Sequence, residues 1–371
     1  MKQITKKEVK IMKKVLLTLF LVTLSVVLIQ GYADAAVGGV CSGCHTMHNS
    51  QDNLPMTYDS TTTPNEKLLR GGCIGCHAQN TAANIVDPGG ADIPQVLHTN
   101  GTDLAGGNFD EVISDETHGH NVVTFSGIVT DTNNATPPGY LAGYDPNGSS
   151  FSSADLVCAG TSGCHGDRSE SNEFQAISGS HHGDDSILKY GTDFTRTGQG
   201  ADGPTSYRYL NGVEGAEDSD WQATVGATDH NSYYAEVYGG RDAGNSDVDT
   251  ISELCGQCHG SFHQGGLTGD DGIGSASPWV RHPTDVVIPN TGEYSSISSV
   301  YQDETPVGRT ALADDLAASA TGTVTAGTDT VMCISCHRAH GSAQPDMLRF
   351  SYTTQADGVG CLNCHTGKDA F

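Results

Sequence analysis

Twelve cysteines in this chain of 371 residues fall into six pairs, and a histidine follows the second cysteine of every pair. Five pairs share the spacing Cys-x-x-Cys-His: Cys41, Cys44 and His45; Cys73, Cys76 and His77; Cys255, Cys258 and His259; Cys333, Cys336 and His337; Cys361, Cys364 and His365. In the remaining one, Cys158, Cys164 and His165, five residues separate the cysteines. Two thiols at the short spacing reach the two vinyl groups of one porphyrin, and the adjacent histidine reaches the iron from one face. A disulfide scaffold or structural zinc would also use cysteines. Neither gives a reason for a histidine after every second one. The pattern therefore predicts six covalently attached haem c groups, with no cysteine left over.

At the widened motif the extra residues must bulge outward while both sulfurs keep their places. Gly160 and Gly163 suit such a bulge because glycine tolerates backbone angles that other residues resist. A disulfide or a degenerate, empty site is the rival reading there.

Six of the 16 histidines are thereby assigned as proximal ligands: His45, His77, His165, His259, His337 and His365. The group on the other face of each iron decides its potential and whether it can bind substrate. His48, His98, His118, His120, His181, His182, His230, His263, His282 and His340 remain. They are numerous enough for bis-histidine irons throughout, whereas Met47, Met56, Met332 and Met347 could serve only some. His48 and His340 each follow a proximal histidine by three residues; on a helical turn both rings would lie on one side of the backbone. One ring would then hold its own haem and the other a neighbouring one. His98 and His282 sit alone between motifs as distal candidates. Residues 115–120 and 180–183 offer two candidates each, of which we favour His120 and His182, with His230 and His263 as spares.

The N-terminus reads as processing signal: six lysines between Lys2 and Lys14, an apolar run from Val15 to Ile29, and a small-residue site ending at Ala35. Residues 1–35 are thus expected to be a secretory signal peptide, and residues 36–371 a single six-haem domain. The apolar run is short for a bilayer span, so no stable membrane insertion is expected after its removal. The whole chain carries a formal charge of −26, and the leader takes lysines away with it. Such a surface repels nucleic acid.

With 47 glycines and few large apolar residues, the polypeptide makes a weak core for its length. Covalent haem is the apolar body that would fill it. About 56 residues per motif are too few for separate haem cores. The expected fold is mostly loop, with short helices at the motifs and few short strands, wrapped round closely spaced haems. Residues 121–129 and 285–289 alternate in a way that suggests short strands.

The six motifs, Cys44-His45-Thr46-Met47-His48, Arg281-His282-Pro283-Thr284-Asp285-Val286 and Cys333-Ile334-Ser335-Cys336-His337-Arg338-Ala339-His340-Gly341 resemble the Geobacter-like extracellular multihaem c-type cytochromes of metal-reducing bacteria. Some of that group are six-haem proteins that polymerise into filaments. The resemblance implies bis-histidine haems in alternating stacked and T-shaped pairs, and electron transfer along the row. It further implies that a surplus histidine near one end, such as His48, completes an iron of the next subunit in a head-to-tail homopolymer. The expectation is an electron carrier, extracellular or at the cell surface, serving redox proteins or minerals. A soluble periplasmic or surface shuttle is the first alternative. A multihaem reductase of nitrite, hydroxylamine or a sulfur compound is the second, and it would need an iron with an exchangeable position.

Overall fold

The computed structural model describes residues 39–52, 54–56, 62–79, 81–87, 89–125, 127–128, 136–141, 152–178, 181, 206–235, 250–262, 282–310, 320–351 and 360–366. The chain divides into two units, Met1–Ala35 and Ala36–Phe371, and every described residue belongs to the second. No helix among the described residues is long and apolar enough to cross a membrane.

Loops dominate. Among the described residues the α-helices are α1 (Cys41–Cys44), α2 (Cys73–His77), α3 (Asp110–Ser114), α4 (Glu173–Ala176), α5 (Ile251–Cys258) and α6 (Cys361–Cys364). Four of these carry an attachment motif, and Cys333–Ser335 forms a 3₁₀ turn at a fifth. Among the described residues only α5 reaches eight residues, and its start explains why. Thr250 accepts from the Glu253 amide while the Glu253 carboxylate accepts from the Thr250 amide, a reciprocal cap that satisfies two end donors. Buried Asp285 accepts from the Thr250 hydroxyl at 3.2 Å, tying the stretch after His282 to this helix.

The strands among the described residues are two or three residues long. Hairpins pair β1 (Ser50–Gln51) with β2 (Leu54–Pro55), β3 (Ile85–Val86) with β4 (Ile93–Pro94), and β5 (Ser206–Tyr207) with β6 (Leu210–Asn211). A five-stranded sheet of order β7-β8-β10-β11-β9 joins Gly215–Ala216, Ser232–Tyr234, Gly308–Arg309, Thr330–Val331 and Val286–Val287. Its β8 and β10 run parallel and its other neighbours antiparallel. The expected strand at 285–289 is β9. The one expected at 121–129 is not formed in its described part: Val122 and Phe125 instead turn inward onto Phe109, Val112 and Leu97.

Among the described residues the buried apolar side chains form three small clusters. One gathers Tyr207, Leu210, Val213, Tyr233, Ile251, Met332 and Ile334; a second surrounds Phe109; a third joins Ile288, Tyr301, Val307 and Val324. Each is far smaller than one core for a chain of this length would be. That is the interior expected of a polypeptide whose centre is filled by something else.

Candidate haem centres

The attachment motifs share one closing hydrogen bond. The histidine amide donates to the carbonyl of the first cysteine in His45 to Cys41, His259 to Cys255, His337 to Cys333 and His365 to Cys361. At the widened motif the amides of Cys164 and His165 both return to the Cys158 carbonyl, at 3.2 and 3.0 Å. Residues 159–163 loop out through a turn in which Gly160 has φ +81° and accepts from the Gly163 amide. The bulge thus leaves the ends of the motif in the same relation as in the short ones.

All six motif histidines bind an acceptor through Nδ1. The partners are the carbonyls of Lys67 for His45, Pro94 for His77, Arg208 for His165, Pro138 for His259 and Asp346 for His337, at 2.7–3.1 Å. His365 instead meets the Glu293 carboxylate at 3.2 Å. A histidine that donates from Nδ1 has its tautomer fixed with the Nε2 lone pair outward, as a metal ligand requires.

A recurring turn supplies three of those carbonyls. Lys67-Leu68, Arg208-Tyr209 and Asp346-Met347 are consecutive left-handed pairs with φ between +49° and +59°. In each, the first carbonyl takes the ring proton and the second accepts the amide of the residue after the motif histidine: Thr46, Gly166 and Arg338. A leucine follows every pair, and at two motifs an arginine comes next. The Arg70 amide donates to Cys44 and its guanidinium to the carbonyls of Gly43 and Met56. Arg349 likewise donates to Cys336 through its amide and to Ile334 through its side chain. Nothing in the cysteine spacing announces this device. The leucine after each pair, followed by arginine at Arg70 and Arg349, is the signal that could have found it.

Opposite four motif histidines stands a second histidine ring: His181 faces His77, His340 faces His165, His120 faces His259 and His282 faces His365, with centroids 6.2, 6.3, 6.1 and 6.0 Å apart. A first-row metal binds imidazole nitrogen at about 2.0–2.1 Å. Two such bonds on opposite sides, plus a ring radius of about 1.1 Å at each end, put centroids about 6.3 Å apart. These four gaps are the width of one iron. His120 donates from Nδ1 to the Ala339 carbonyl at 2.7 Å and His282 to that of Pro283 at 2.8 Å, the same tautomer as the proximal rings. Burial, then neighbouring His165 and His120, pushes His340 down to about 3, and burial with His120 pushes His259 to about 4. Both are neutral at physiological pH, the form that binds metal.

His340 is held by a crossing of backbones. Its amide donates to Gly106, its carbonyl accepts from His120, and Gly341 and Ser342 bond Asn108 and His118. Gly107, Gly119 and Gly341 meet there, where a Cβ has no room. The spacing of His340 from His337 is not helical: residues 337–340 form a bridge and bend, as do 45–48, because the left-handed pairs draw His337 and His45 into short ladders with Leu348 and Leu69. His340 nevertheless reaches a different motif from its own.

The other candidates behave differently. His98 is fully buried, with Nε2 lacking a hydrogen-bond partner and no opposing ring among the described residues. His118 lies 3.9 Å from the Asp115 carboxylate. His230 stacks on Tyr301 at 3.5 Å with both ring nitrogens against backbone carbonyls, so it is a packed core residue. His48 is exposed. His182 and His263 lie outside the described residues; His181, the neighbour of the favoured His182, is the ring that faces His77. Among the four methionines, Met332 is buried in the Tyr207 cluster and Met47 is 69% exposed.

No disulfide joins any of the twelve cysteines. Thiols of successive motifs meet instead: Cys73 hydrogen-bonds Cys158, and Cys255 hydrogen-bonds Cys333. The first contact and then burial raise the Cys158 thiol far above its usual range, and the same bond lowers that of Cys73. Among the described residues the one close group of three metal-donor side chains is Cys73, Cys158 and Glu173. It mixes two motifs, and Glu173 already accepts from the amides of Cys158 and Ala159. In no motif do its own two thiols and ring nitrogen converge as tetrahedral zinc would need. Separated thiols, an outward Nε2 and a second ring one iron away fit c-type haem.

A family model described as a doubled CXXCH motif matches residues 324–370. Among curated proteins, the C-type cytochrome OmcS of Geobacter sulfurreducens is 27% identical over 400 residues, which cover 87% of this chain and 82% of that one. Over most of its length the chain is homologous to a c-type cytochrome. Two solved structures, titled as cryo-EM of OmcS nanowires and as an outer membrane cytochrome S filament from Geobacter sulfurreducens, align over 85% of each chain. Their identities are 21% and 22%, with TM-scores of 0.45 and 0.41.

Proposed function

We propose that the chain is exported, holds six haem c groups, and carries electrons along them as a subunit of an extracellular homopolymer. The observation that carries this reading is the set of four facing histidine pairs, each one iron wide and each joining a motif histidine to a distant one. Similarity to a c-type cytochrome over most of the chain supports it. In this reading each cysteine pair anchors a porphyrin and His45, His77, His165, His259, His337 and His365 are proximal ligands. His181, His340, His120 and His282 close four irons from the other side, with His98 and His182 as further candidates. Haem supplies an iron that takes up and releases one electron. The polypeptide holds each proximal ring by its Nδ1 proton, favours the uncharged form of His340, His120 and His282 by burying them, and leaves no exchangeable position at the four closed sites.

The thiol contacts between Cys73 and Cys158 and between Cys255 and Cys333 place successive motifs side by side, as a continuous row demands. His337 has a fixed tautomer but no ring opposite it among the described residues. Exposed His48, in the stretch of residues 40–68 that also carries the exposed apolar side chains Val40, Met47, Leu54 and Leu68, is the ligand a second copy would offer it.

An iron at His337 left without a second ligand would favour the reductase as the second reading. Intact mass of the exported protein, together with a spin-state count in the polymer and in discrete particles, tests the proposal. Six haems per chain, all low-spin in the polymer and without turnover of nitrite or hydroxylamine, is the expected result. Fewer haems, or a high-spin iron in the polymer that turns these substrates over, refutes it.

A further inference from the structure

Five motif histidines give their Nδ1 proton to a neutral backbone carbonyl; His365 gives its own to a carboxylate. Glu293 is built into place for this. It sits in the one-turn helix Gly292–Tyr294, and the Thr366 hydroxyl, from the residue directly after His365, donates to the Glu293 carbonyl at 2.9 Å. The Tyr294 ring stands 5.0 Å from the His365 ring, and its phenol hydrogen-bonds the Glu293 side chain. The ring facing His365 is His282, and the two planes cross at 88°, against 43–47° in the other three pairs.

A carbonyl presents a dipole to the ring proton, whereas an ionised glutamate presents a full negative charge. The stronger acceptor draws the proton away from Nδ1 and makes Nε2 the better donor. A better donor stabilises the oxidised iron over the reduced one, which lowers the reduction potential. The one-electron couple stays balanced without proton release, because the Nδ1 proton is shared between ring and carboxylate in both states.

We propose that Glu293 is a positioning residue that tunes the C-terminal centre, holding the iron between His365 and His282 below the potential a carbonyl partner would give. The proposal rests on the haem reading above.

The test is Glu293→Gln in the full-length, haem-loaded protein, since glutamine keeps an acceptor oxygen and removes the charge. Intact mass counts the haems, and a redox titration followed by EPR reads the potentials. Of the four facing pairs this one has the planes closest to perpendicular, which would leave two iron orbitals nearly degenerate and give its centre the most anisotropic low-spin signal of the four. The expected result is six haems, with that one component moved to higher potential and the other five unchanged. An unmoved component, a shift spread over all six, or loss of the sixth haem from the variant alone overturns the proposal. Fewer than six haems in the parent chain would instead sink the haem reading on which it rests.

Discussion

Gly119→Ala should open an iron without touching any ligand or cysteine. Gly119 has extended backbone, φ −179°, so alanine brings no conformational strain and the effect is purely one of space. Its Cβ would sit 2.8 Å from Gly341 Cα and 2.5 Å from Val112 Cγ2, and still closer to the His340 carbonyl. Ordinary contacts begin at 3.4 Å, so the strand bearing His340 must retreat by at least 0.6 Å. Overpacking of this kind costs about 1–3 kcal/mol. More tellingly, the retreat exceeds the roughly 0.2 Å within which metal-ligand distances must hold. The His120 amide bonds the His340 carbonyl, so the ligands that face His259 and His165 are pried apart together. EPR and resonance Raman should then count one or two high-spin irons per chain, with all haems still attached by mass. Gly101→Ala is the control, since nothing lies within 4 Å of its Cβ. If Gly119→Ala stayed entirely low-spin and as stable as that control, the crossing would not be what positions these rings.

Asp346→Val should destabilise the chain by about 1–2 kcal/mol, since a β-branched residue resists the left-handed conformation, and it should perturb the spectrum of the centre at His337. Asp346→Asn should do neither, as spectroelectrochemistry and thermal melting would show. His230→Phe should leave haem count and spin state unchanged while costing about 1–2 kcal/mol in a melt through a lost hydrogen bond, because its ring is spent on Tyr301 and two carbonyls. Thr250→Ala should cost about 1–2 kcal/mol, since it removes both the cap of α5 and the bond to buried Asp285, and the loss should appear in chemical denaturation.

What could be read from the sequence follows the range of the interactions. The attachment motifs are local, so their cysteines and histidines stand out at once, the widened Cys158 site included. The facing rings are set by contacts over long separations: His120 meets His259 through a chain crossing at residue 340, and no periodicity marks it. His181 and His182 are adjacent, and nothing in the sequence says which of them faces His77; the structure places His181 there, and His182 lies outside the described residues. His230 looked like a spare ligand because aromatic stacking has no sequence signature. Lys67-Leu68 and Asp346-Met347 adopt a conformation that neither pair prefers, imposed by the hydrogen bonds they supply. Of the five-stranded sheet only β9 is marked by alternation, because strands of two or three residues carry too little of it to detect, and Val122 and Phe125 imitate a strand that does not form in its described part.

Cryo-electron microscopy of the native, haem-loaded protein tests the central claim most directly. The account predicts a helical polymer with an iron between His77 and His181, His165 and His340, His259 and His120, and His365 and His282, and with His337 closed by His48 of the next copy. Discrete particles would remove the polymer and keep the carrier, whereas an iron at any of those four pairs that lacks either ring would contradict the account.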